Sequence, residues 1–248
     1  MTDLKQLKER IMGGCPACGG DGYIDFDLCN CAIKFRAFSW LIDGGFHEDT
    51  LDLVSSSNYV LPMLESGGES VDYFLRNPFD VMDKGLSLYL FSKENGRGKT
   101  TLAHYLVYAL AWPFCKTENY SRQRTYGFAD MHSLLEAFLE REDVGDAWKS
   151  TVLVIDDLGS ESRSAAWKTD TVISMLHRIM HYRRNNKLPT IITSNFAPAS
   201  LVGFYQGVLD SVLEIRPDGI VGGKIFRQVE VGGGEDFRLM DGRSDWPT

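Results

Sequence analysis

A short loop containing two glycines, a lysine and two threonines follows the apolar run 86–90 and precedes a helix-like run. Gly96 and Gly98 allow the backbone to curl, so that successive N–H groups face an anion and the dipole of the next helix adds to the attraction. Lys99 is expected to reach the β- and γ-phosphates of a nucleotide, and the Thr100 hydroxyl to contact Mg²⁺. The pattern predicts a phosphate-binding P-loop whose contacting residues are Asn95, Gly96, Arg97, Gly98, Lys99, Thr100 and Thr101.

The loop departs from the usual G-x-x-x-x-G-K-[ST] pattern at one position, because Lys93 stands where the first glycine belongs. Since Gly-Lys-Thr is common by chance, an ordinary strand-to-helix turn is the alternative. A second motif, the apolar run 151–157 that ends in two carboxylates, favours the nucleotide site because it has the form of a Walker B strand. Asp156 is expected to hold the Mg²⁺ shell, and Asp157 to polarise the attacking water.

Asn195 ends another apolar run, just as Asp157 ends the Walker B run. If both runs are strands of one parallel sheet, the two side chains reach the same edge, where an amide orients the attacking water or contacts the γ-phosphate. A simple Asn turn after a strand is the alternative. The predicted catalytic residues of this nucleoside triphosphatase are Lys99, Asp156, Asp157 and Asn195, with Thr100 and Asp156 as magnesium ligands.

Four of the five cysteines lie close together near the amino terminus. Each Cys-x-x-Cys or Cys-x-Cys turn presents two thiolates to one centre, which suits tetrahedral Zn²⁺, and four cysteines close the coordination shell of a structural site. Reduced thiols in a loop, or a redox or iron–sulfur role, are the alternatives. The predicted zinc ligands are Cys15, Cys18, Cys29 and Cys31.

Composition restricts the partners and the location of the chain. Its 248 residues begin with a polar segment and contain no apolar run of about 18 residues, so we expect a cytoplasmic protein without a membrane partner. The net charge of −8 argues that any contact with DNA is a local patch. The densest basic cluster consists of Arg178, Arg183, Arg184 and Lys187. It is either a solvated helix end or a patch that binds single-stranded DNA weakly, to which Tyr182 would add a stacking surface.

Apolar strand-like runs alternate with helix-like runs after residue 85, which predicts an α/β fold with a parallel sheet covered on both faces. A short amphipathic helix is expected before the cysteines, either as part of the core or as a helix that docks on a partner.

We place a linker within Gly44 to Ser57 and divide the chain into two parts. Residues 1–56 are the helix and the zinc-binding module, and residues 57–248 are the ATPase domain. His177 and His181 have helical spacing that suits metal, but a solvated or packed helix face is favoured.

With these motifs together, the chain resembles the AAA+ ATPases of the DnaC/DnaI helicase-loader and IstB transposition-helper group. The resemblance extends from about Phe74 to Arg238 and is carried by four segments: 84–91, 152–161 with Asp-Asp-Leu-Gly-x-Glu, 189–195 with Pro-Thr-Ile-Ile-Thr-Ser-Asn, and 234–238. It implies a RecA-like parallel five-stranded sheet with helices on both faces. Asn195 is then sensor 1 and Arg238 a nucleotide-contacting sensor 2 candidate. The cysteine segment looks like the zinc module of many bacterial and phage loaders, a candidate contact for helicase or DNA.

The resemblance implies a function for a bacterial protein, or a phage protein in a bacterial host. The chain would bind ATP with Mg²⁺, engage a hexameric DnaB-type replicative helicase and help place it on single-stranded DNA. It would form a homo-oligomer in the presence of ATP or helicase. An IstB-like helper that recruits a transposase is one alternative. A nucleotide-dependent interaction protein with little hydrolysis is another, because Lys93 replaces a glycine.

Proteins of this group usually carry an arginine between sensor 1 and the last strand that reaches into the neighbouring subunit. The segment of this chain that corresponds to the arginine motif is 210–213, and Val212 occupies the position of that arginine. Arg216 is the nearest substitute, although it could merely cap a helix before Pro217. Because such a finger is worth on the order of 10³-fold or more in rate, we expect slow ATP turnover by the isolated protein.

Overall fold

The computed structural model describes residues 3–116, 125–139, 146–160, 169–201 and 226–232. Within these ranges the helices are α1 (Leu4–Met12), α2 (Asn30–Asp43), α3 (Glu48–Val54), α4 (Gly68–Arg76), α5 (Pro78–Lys84), α6 (Lys99–Cys115), α7 (Met131–Leu139), α8 (Thr169–Asn185) and α9 (Pro198–Leu201), with a 3₁₀ turn at Asp146–Lys149. The strands are β1 (Tyr23–Ile24), β2 (Asp27–Leu28), β3 (Leu64–Ser66), β4 (Ser87–Phe91), β5 (Tyr126–Asp130), β6 (Val152–Leu158), β7 (Thr190–Ser194) and β8 (Phe226–Val231).

Six of these strands form one sheet in the order β3-β8-β4-β7-β6-β5. The five strands from β8 to β5 are parallel to their neighbours, which confirms the predicted α/β fold and its five-stranded parallel sheet. The structure adds β3, which pairs antiparallel with β8 at one edge. Counted along the chain, the five parallel strands lie in the order 5-1-4-3-2, so β4 and the loop after it occupy a central position.

The alternation of side chains along β4 shows how the sheet separates two cores. All five residues of β4 are buried, as expected for a strand covered on both faces. Leu88 and Leu90 belong to the core that also contains α2, α3 and α6, whereas Tyr89 and Phe91 belong to the core formed with α7, α8 and α9. Helices therefore cover both faces of the sheet.

The amino-terminal helices belong to the first of these cores. Leu7 of α1, Phe38 of α2 and Leu51 of α3 are buried in the same hydrophobic cluster as residues of α6. On α1, Leu7 is therefore core and Ile11 packs against it partly buried, whereas Leu4 is 45% exposed. Gly44 accepts a hydrogen bond from the Phe128 amide at 2.7 Å, and a Cβ at Gly44 would lie 1.9 Å from the Tyr126 carbonyl oxygen. The turn at Gly44, which follows α2 and begins the segment predicted as a linker, thus packs against β5. Independent folding of 57–248 stays a prediction.

Among the described residues, no helix has both the length and the apolar character needed to cross a membrane.

Candidate nucleotide site and cysteine cluster

The loop between β4 and α6 has the backbone that a phosphate cradle requires. Gly96 and Gly98 have φ angles of 78° and 80°, in the left-handed region where a Cβ is strained. Gly98 is the N-cap of α6, which begins at Lys99 and extends for 17 residues. The positive end of this helix and its unpaired N–H groups therefore point into the loop.

Lys99 lies within the loop with only 8% of its surface exposed. Its Nζ donates a hydrogen bond to the Glu94 carbonyl oxygen, at 3.2 Å. A buried ammonium is costly unless it is paired, and phosphate oxygens would offer stronger, charge-assisted partners than a neutral carbonyl.

Two strands, β6 and β7, and the helix α6 bring oxygen ligands together beside this lysine. The hydroxyls of Thr100 and Thr193 both donate to Oδ1 of Asp156, at 2.9 and 2.6 Å. Burial raises the pKa of Asp156, while the hydrogen bonds from Thr193 and Thr100 oppose that rise by favouring the carboxylate. A hydroxyl and a carboxylate in contact are the hard oxygen ligands that Mg²⁺ prefers, so the residues fit the ion.

Asp157, the residue before the last of β6, has a left-handed conformation with a φ of 56°. The register between β6 and β7 shifts between Ile155 and Leu158, around this residue. The Asp157 carboxylate accepts a hydrogen bond of 2.6 Å from Nδ2 of Asn195, and its backbone N–H donates to Thr193 Oγ1 at 2.9 Å. The structure therefore brings the two predicted water-orienting side chains into direct contact.

These groups line one cavity of about 470 Å³. All seven predicted P-loop residues line it, and so do both aspartates and the asparagine. Sequence reasoning missed three further lining residues: Thr50, Leu53 and Thr193. Thr193 had a detectable signal, since it lies one strand repeat before Asn195, whereas the two residues of α3 have no motif that points to a nucleotide.

A buried imidazole lies directly behind the P-loop. Nδ1 of His104 is 2.8 Å from the Thr100 carbonyl oxygen, and its ring centroid is 5.2 Å from that of Phe46 and 4.8 Å from that of Phe128. Burial lowers the pKa of His104 to about 4. The ring is therefore neutral at physiological pH and contributes packing rather than charge to the site.

The four clustered cysteines form a separate site around the β1–β2 hairpin. Their sulfur atoms all lie within 4.8 Å of one another, and all four thiols are free. Sγ of Cys15 is 3.8 Å from that of Cys29, and Sγ of Cys18 is 3.4 Å from that of Cys31. Four sulfurs at 2.3 Å from a tetrahedral zinc ion are separated by about 3.8 Å. The donor set and its spacing therefore fit Zn²⁺.

The surroundings favour the thiolate at Cys18, whereas burial and the neighbouring thiols raise the pKa of Cys31. Burial raises the pKa of Cys18, but the hydrogen bond from the Gly22 amide at 3.3 Å and those from its other neighbours outweigh burial and bring it to about 7. Cys29 is the N-cap of α2, so the site directly precedes a helix that packs on α6. A metal here would fix the start of α2.

The structure corrects the predicted basic patch at one position. Arg183 is only 1% exposed, and its guanidinium donates to Thr190 Oγ1 at 2.7 Å and to the carbonyl oxygens of Trp148, Ser150 and Pro189 at 2.8, 2.8 and 2.6 Å. It is a structural side chain and cannot contact DNA. The remaining members, Arg178, Arg184 and Lys187, are exposed.

Further predictions concern the histidines of α8 and three residues nearer the carboxyl terminus. His177 and His181 stack with ring centroids 5.8 Å apart, and within the described ranges they belong to no group of three or more metal-ligating side chains. Arg238, Val212 and Arg216 lie outside the described residues.

Comparison of the sequence with protein families gives one match relevant to this site. The model of the ATPase family associated with various cellular activities (AAA) matches residues 89–214, just over half of the chain. The chain is also 32% identical over 136 residues to the replicative helicase loader DnaI of Bacillus subtilis (strain 168). That alignment covers 54% of this chain and 40% of the relative, so the chain spans about two fifths of that loader's length.

Two solved structures share the fold. The crystal structure of the DnaC helicase loader superposes with a TM-score of 0.53 at 22% identity and covers 75% of this chain and all of that one. The crystal structure of DnaI has a TM-score of 0.50 at 19% identity and covers 75% of this chain and 93% of that one. The family match confirms that the chain is an AAA ATPase, and the two solved structures confirm the predicted fold.

Proposed function

Because the chain belongs to the AAA family of ATPases, we propose that it binds ATP with Mg²⁺ and acts as a loader of a replicative helicase. The observation that carries the nucleotide part is the convergence of Thr100 and Thr193 on Asp156 in the cavity that also holds Lys99. Three distant segments supply an anion cradle, a buried lysine and a cation ligand set at one place, as phosphoryl transfer requires.

Each side chain has a proposed role. Lys99 and the N–H groups of the P-loop hold the phosphates, and Thr100 and Asp156 hold the magnesium ion. When bound, the ion neutralises charge on the phosphate oxygens. Asp157 accepts a proton from the attacking water, and Asn195, which already contacts that carboxylate, orients the water or the γ-phosphate.

The cavity also suggests a place for the nucleoside. Leu53 is 38% exposed although it is apolar, and it lines the cavity together with Thr50. We assign this face of α3 as a wall for the base, since an apolar surface beside a phosphate cradle is the usual environment of a nucleobase.

The loader part is supported by similarity to the replicative helicase loader DnaI. The proposed partners are a hexameric DnaB-type helicase in the bacterial cytoplasm, single-stranded DNA and, in the presence of ATP or helicase, further copies of this chain. The zinc module is the proposed contact with the helicase. Zn²⁺ held by Cys15, Cys18, Cys29 and Cys31 would keep that module folded.

A pull-down from host lysate with Mg²⁺-ATP tests the loader proposal. Asp157→Asn is the bait, because it should retain ATP while hydrolysing it at least about 100-fold more slowly. A DnaB-type helicase that is captured by this variant, and lost in Lys99→Ala, is the expected result. Capture of a transposase in its place would identify a transposition helper and refute the loader.

A further inference from the structure

A second pocket lies at the edge of the sheet opposite the nucleotide cavity. Its volume is about 410 Å³. The α8 residues that line it flank Arg183, which bonds to Thr190 at the start of β7 and to Ser150 just before β6, whereas Asp156 and Asn195 lie at the carboxyl ends of these strands. It is lined by the 3₁₀ turn and the end of α8, through Trp148, His177, Arg178, His181, Tyr182, Asn185 and Asn186.

The buried Arg183 makes this pocket rigid. Its guanidinium connects the carbonyl oxygens of Trp148 and Ser150 to the start of β7, so the 3₁₀ turn is held against α8. The bonds are charge-assisted and buried, which makes them stronger than neutral surface hydrogen bonds. A ligand would therefore meet a wall that is already ordered.

The pocket combines aromatic rings with cations. The rings of Trp148 and Tyr182 pack edge to face with centroids 4.9 Å apart. The Arg178 guanidinium lies 5.8 Å from the indole centroid, and the Lys149 ammonium 5.3 Å from it. Proteins bind single-stranded nucleic acid through three kinds of contact: aromatic rings that stack on bases, amides that form hydrogen bonds with them, and cations that pair with phosphate.

We propose that this pocket binds a nucleobase of single-stranded nucleic acid, with Tyr182 as a stacking surface and Arg178 as a phosphate contact. The carboxamides of Asn185 and Asn186 lie at the pocket; their Nδ2 groups bond to His181 Nδ1 and to the Tyr182 carbonyl oxygen, and their oxygens are suited to accept hydrogen bonds from a base. A chain with a net charge of −8 repels a polyanion elsewhere, so a local cationic and aromatic pocket is where contact is least opposed. The inference deepens the proposed function by giving the DNA a site remote from ATP.

Fluorescence anisotropy with labelled 15-mers of deoxythymidine and of uridine tests the proposal, in low salt and without nucleotide. Tyr182→Ala should weaken binding at least about five-fold, while Tyr182→Phe, which keeps the ring, should bind like the wild type. Arg178→Ala should lower affinity and reduce the slope of log K against log salt by about 0.7. Arg76→Ala, which removes an exposed arginine from α4, should change neither.

Three further measurements keep the outcome unambiguous. A strand of abasic sites of equal length should bind the wild type more weakly than deoxythymidine, and equal binding would overturn base recognition. Ultraviolet crosslinking of a bromodeoxyuridine strand should map to Trp148 or Tyr182 in the wild type, so the test survives a variant that fails to fold. Crosslinks elsewhere, or losses no larger than for Arg76→Ala, would refute the site. ATP binding by Arg178→Ala should be unchanged, so failure here leaves the nucleotide proposal intact.

Discussion

The cysteine cluster and the nucleotide cavity are built in opposite ways. The cluster takes all four sulfurs from residues 15–31, on two turns that flank one hairpin. The cavity draws its groups from α3, the β4–α6 loop, β6 and β7, which span residues 50–195. Spacing alone identifies the first kind of site, whereas the second exists only because a parallel sheet aligns the carboxyl ends of separate strands.

The two regions are nevertheless connected through α3. Arg10 of α1, just before the cysteines, pairs with Glu48 and Asp52 of α3 at 2.6 and 2.5 Å. The same helix presents Thr50 and Leu53 to the nucleotide cavity. The cysteine cluster therefore lies between α1 and α2 in the chain, and both helices pack with α3, which lines the nucleotide cavity. The following predictions test how far the two regions depend on each other.

Removal of the metal ligands has the largest expected effect on stability. Cys15→Ser combined with Cys29→Ser should abolish zinc binding and lower the unfolding temperature of the whole protein, because a metal held at Cys29 would fix the start of α2, and α2 packs on α6. Metal analysis and calorimetry measure the two effects. Cys115→Ser is the matched control, since Cys115 is not one of the four clustered cysteines and its substitution should leave the zinc content unchanged. Full zinc retention by the double variant would refute the ligand assignment.

The buried imidazole behind the P-loop predicts a pH dependence of the other region. His104 binds a proton in the unfolded chain below its ordinary pKa of 6.5 but in the folded protein only below about 4. The free energy of unfolding should therefore decrease as the pH falls from 6.5 to 4, by about 3 kcal/mol from this residue. Below pH 4 this contribution is fully lost.

His104→Phe should reduce this loss. Phenylalanine keeps the ring between Phe46 and Phe128 and removes Nε2, which is buried without a hydrogen-bond partner among the described residues. Urea denaturation at several pH values gives the slope of unfolding free energy against pH for the wild type and for the variant. Any release of zinc by acid affects both proteins equally, so it does not change the difference between the slopes. Parallel slopes for wild type and variant would show that His104 is not the titrating group.

Short motifs can be read from the sequence because each needs particular residue types at close spacing, and the structure places the P-loop residues around one cavity and the four cysteines in one cluster. The basic cluster is a matter of composition, which does not indicate burial: Arg183 is buried because its guanidinium bonds to the 3₁₀ turn at Asp146–Lys149 and to the start of β7. Leu53 was missed for the same reason, since only tertiary packing turns its apolar side chain toward the cavity.

Removal of the ion pairs between α1 and α3 is expected to have the smallest effect, a modest loss of affinity for ATP. Arg10→Ala removes two exposed ion pairs, which together are worth about 1 kcal/mol or less. Zinc should be retained, while ATP should bind about two- to five-fold more weakly because α3 is less firmly held. Isothermal titration measures the affinity, with Arg76→Ala as the control. An affinity equal to that of the wild type would show that the two regions are energetically independent.

We propose that the loop after β4 functions as a phosphate cradle although Lys93 replaces the first glycine of the usual P-loop pattern. Titration of Mg²⁺-ATP into the wild type, Lys99→Ala and Lys93→Ala tests it most directly, since the two variants each remove one lysine from the same loop. Lys99→Ala should bind at least about 100-fold more weakly because it removes a charge-assisted contact to the phosphates, whereas Lys93→Ala should bind within about three-fold of the wild type. Equal affinity of Lys99→Ala and the wild type would contradict the P-loop assignment.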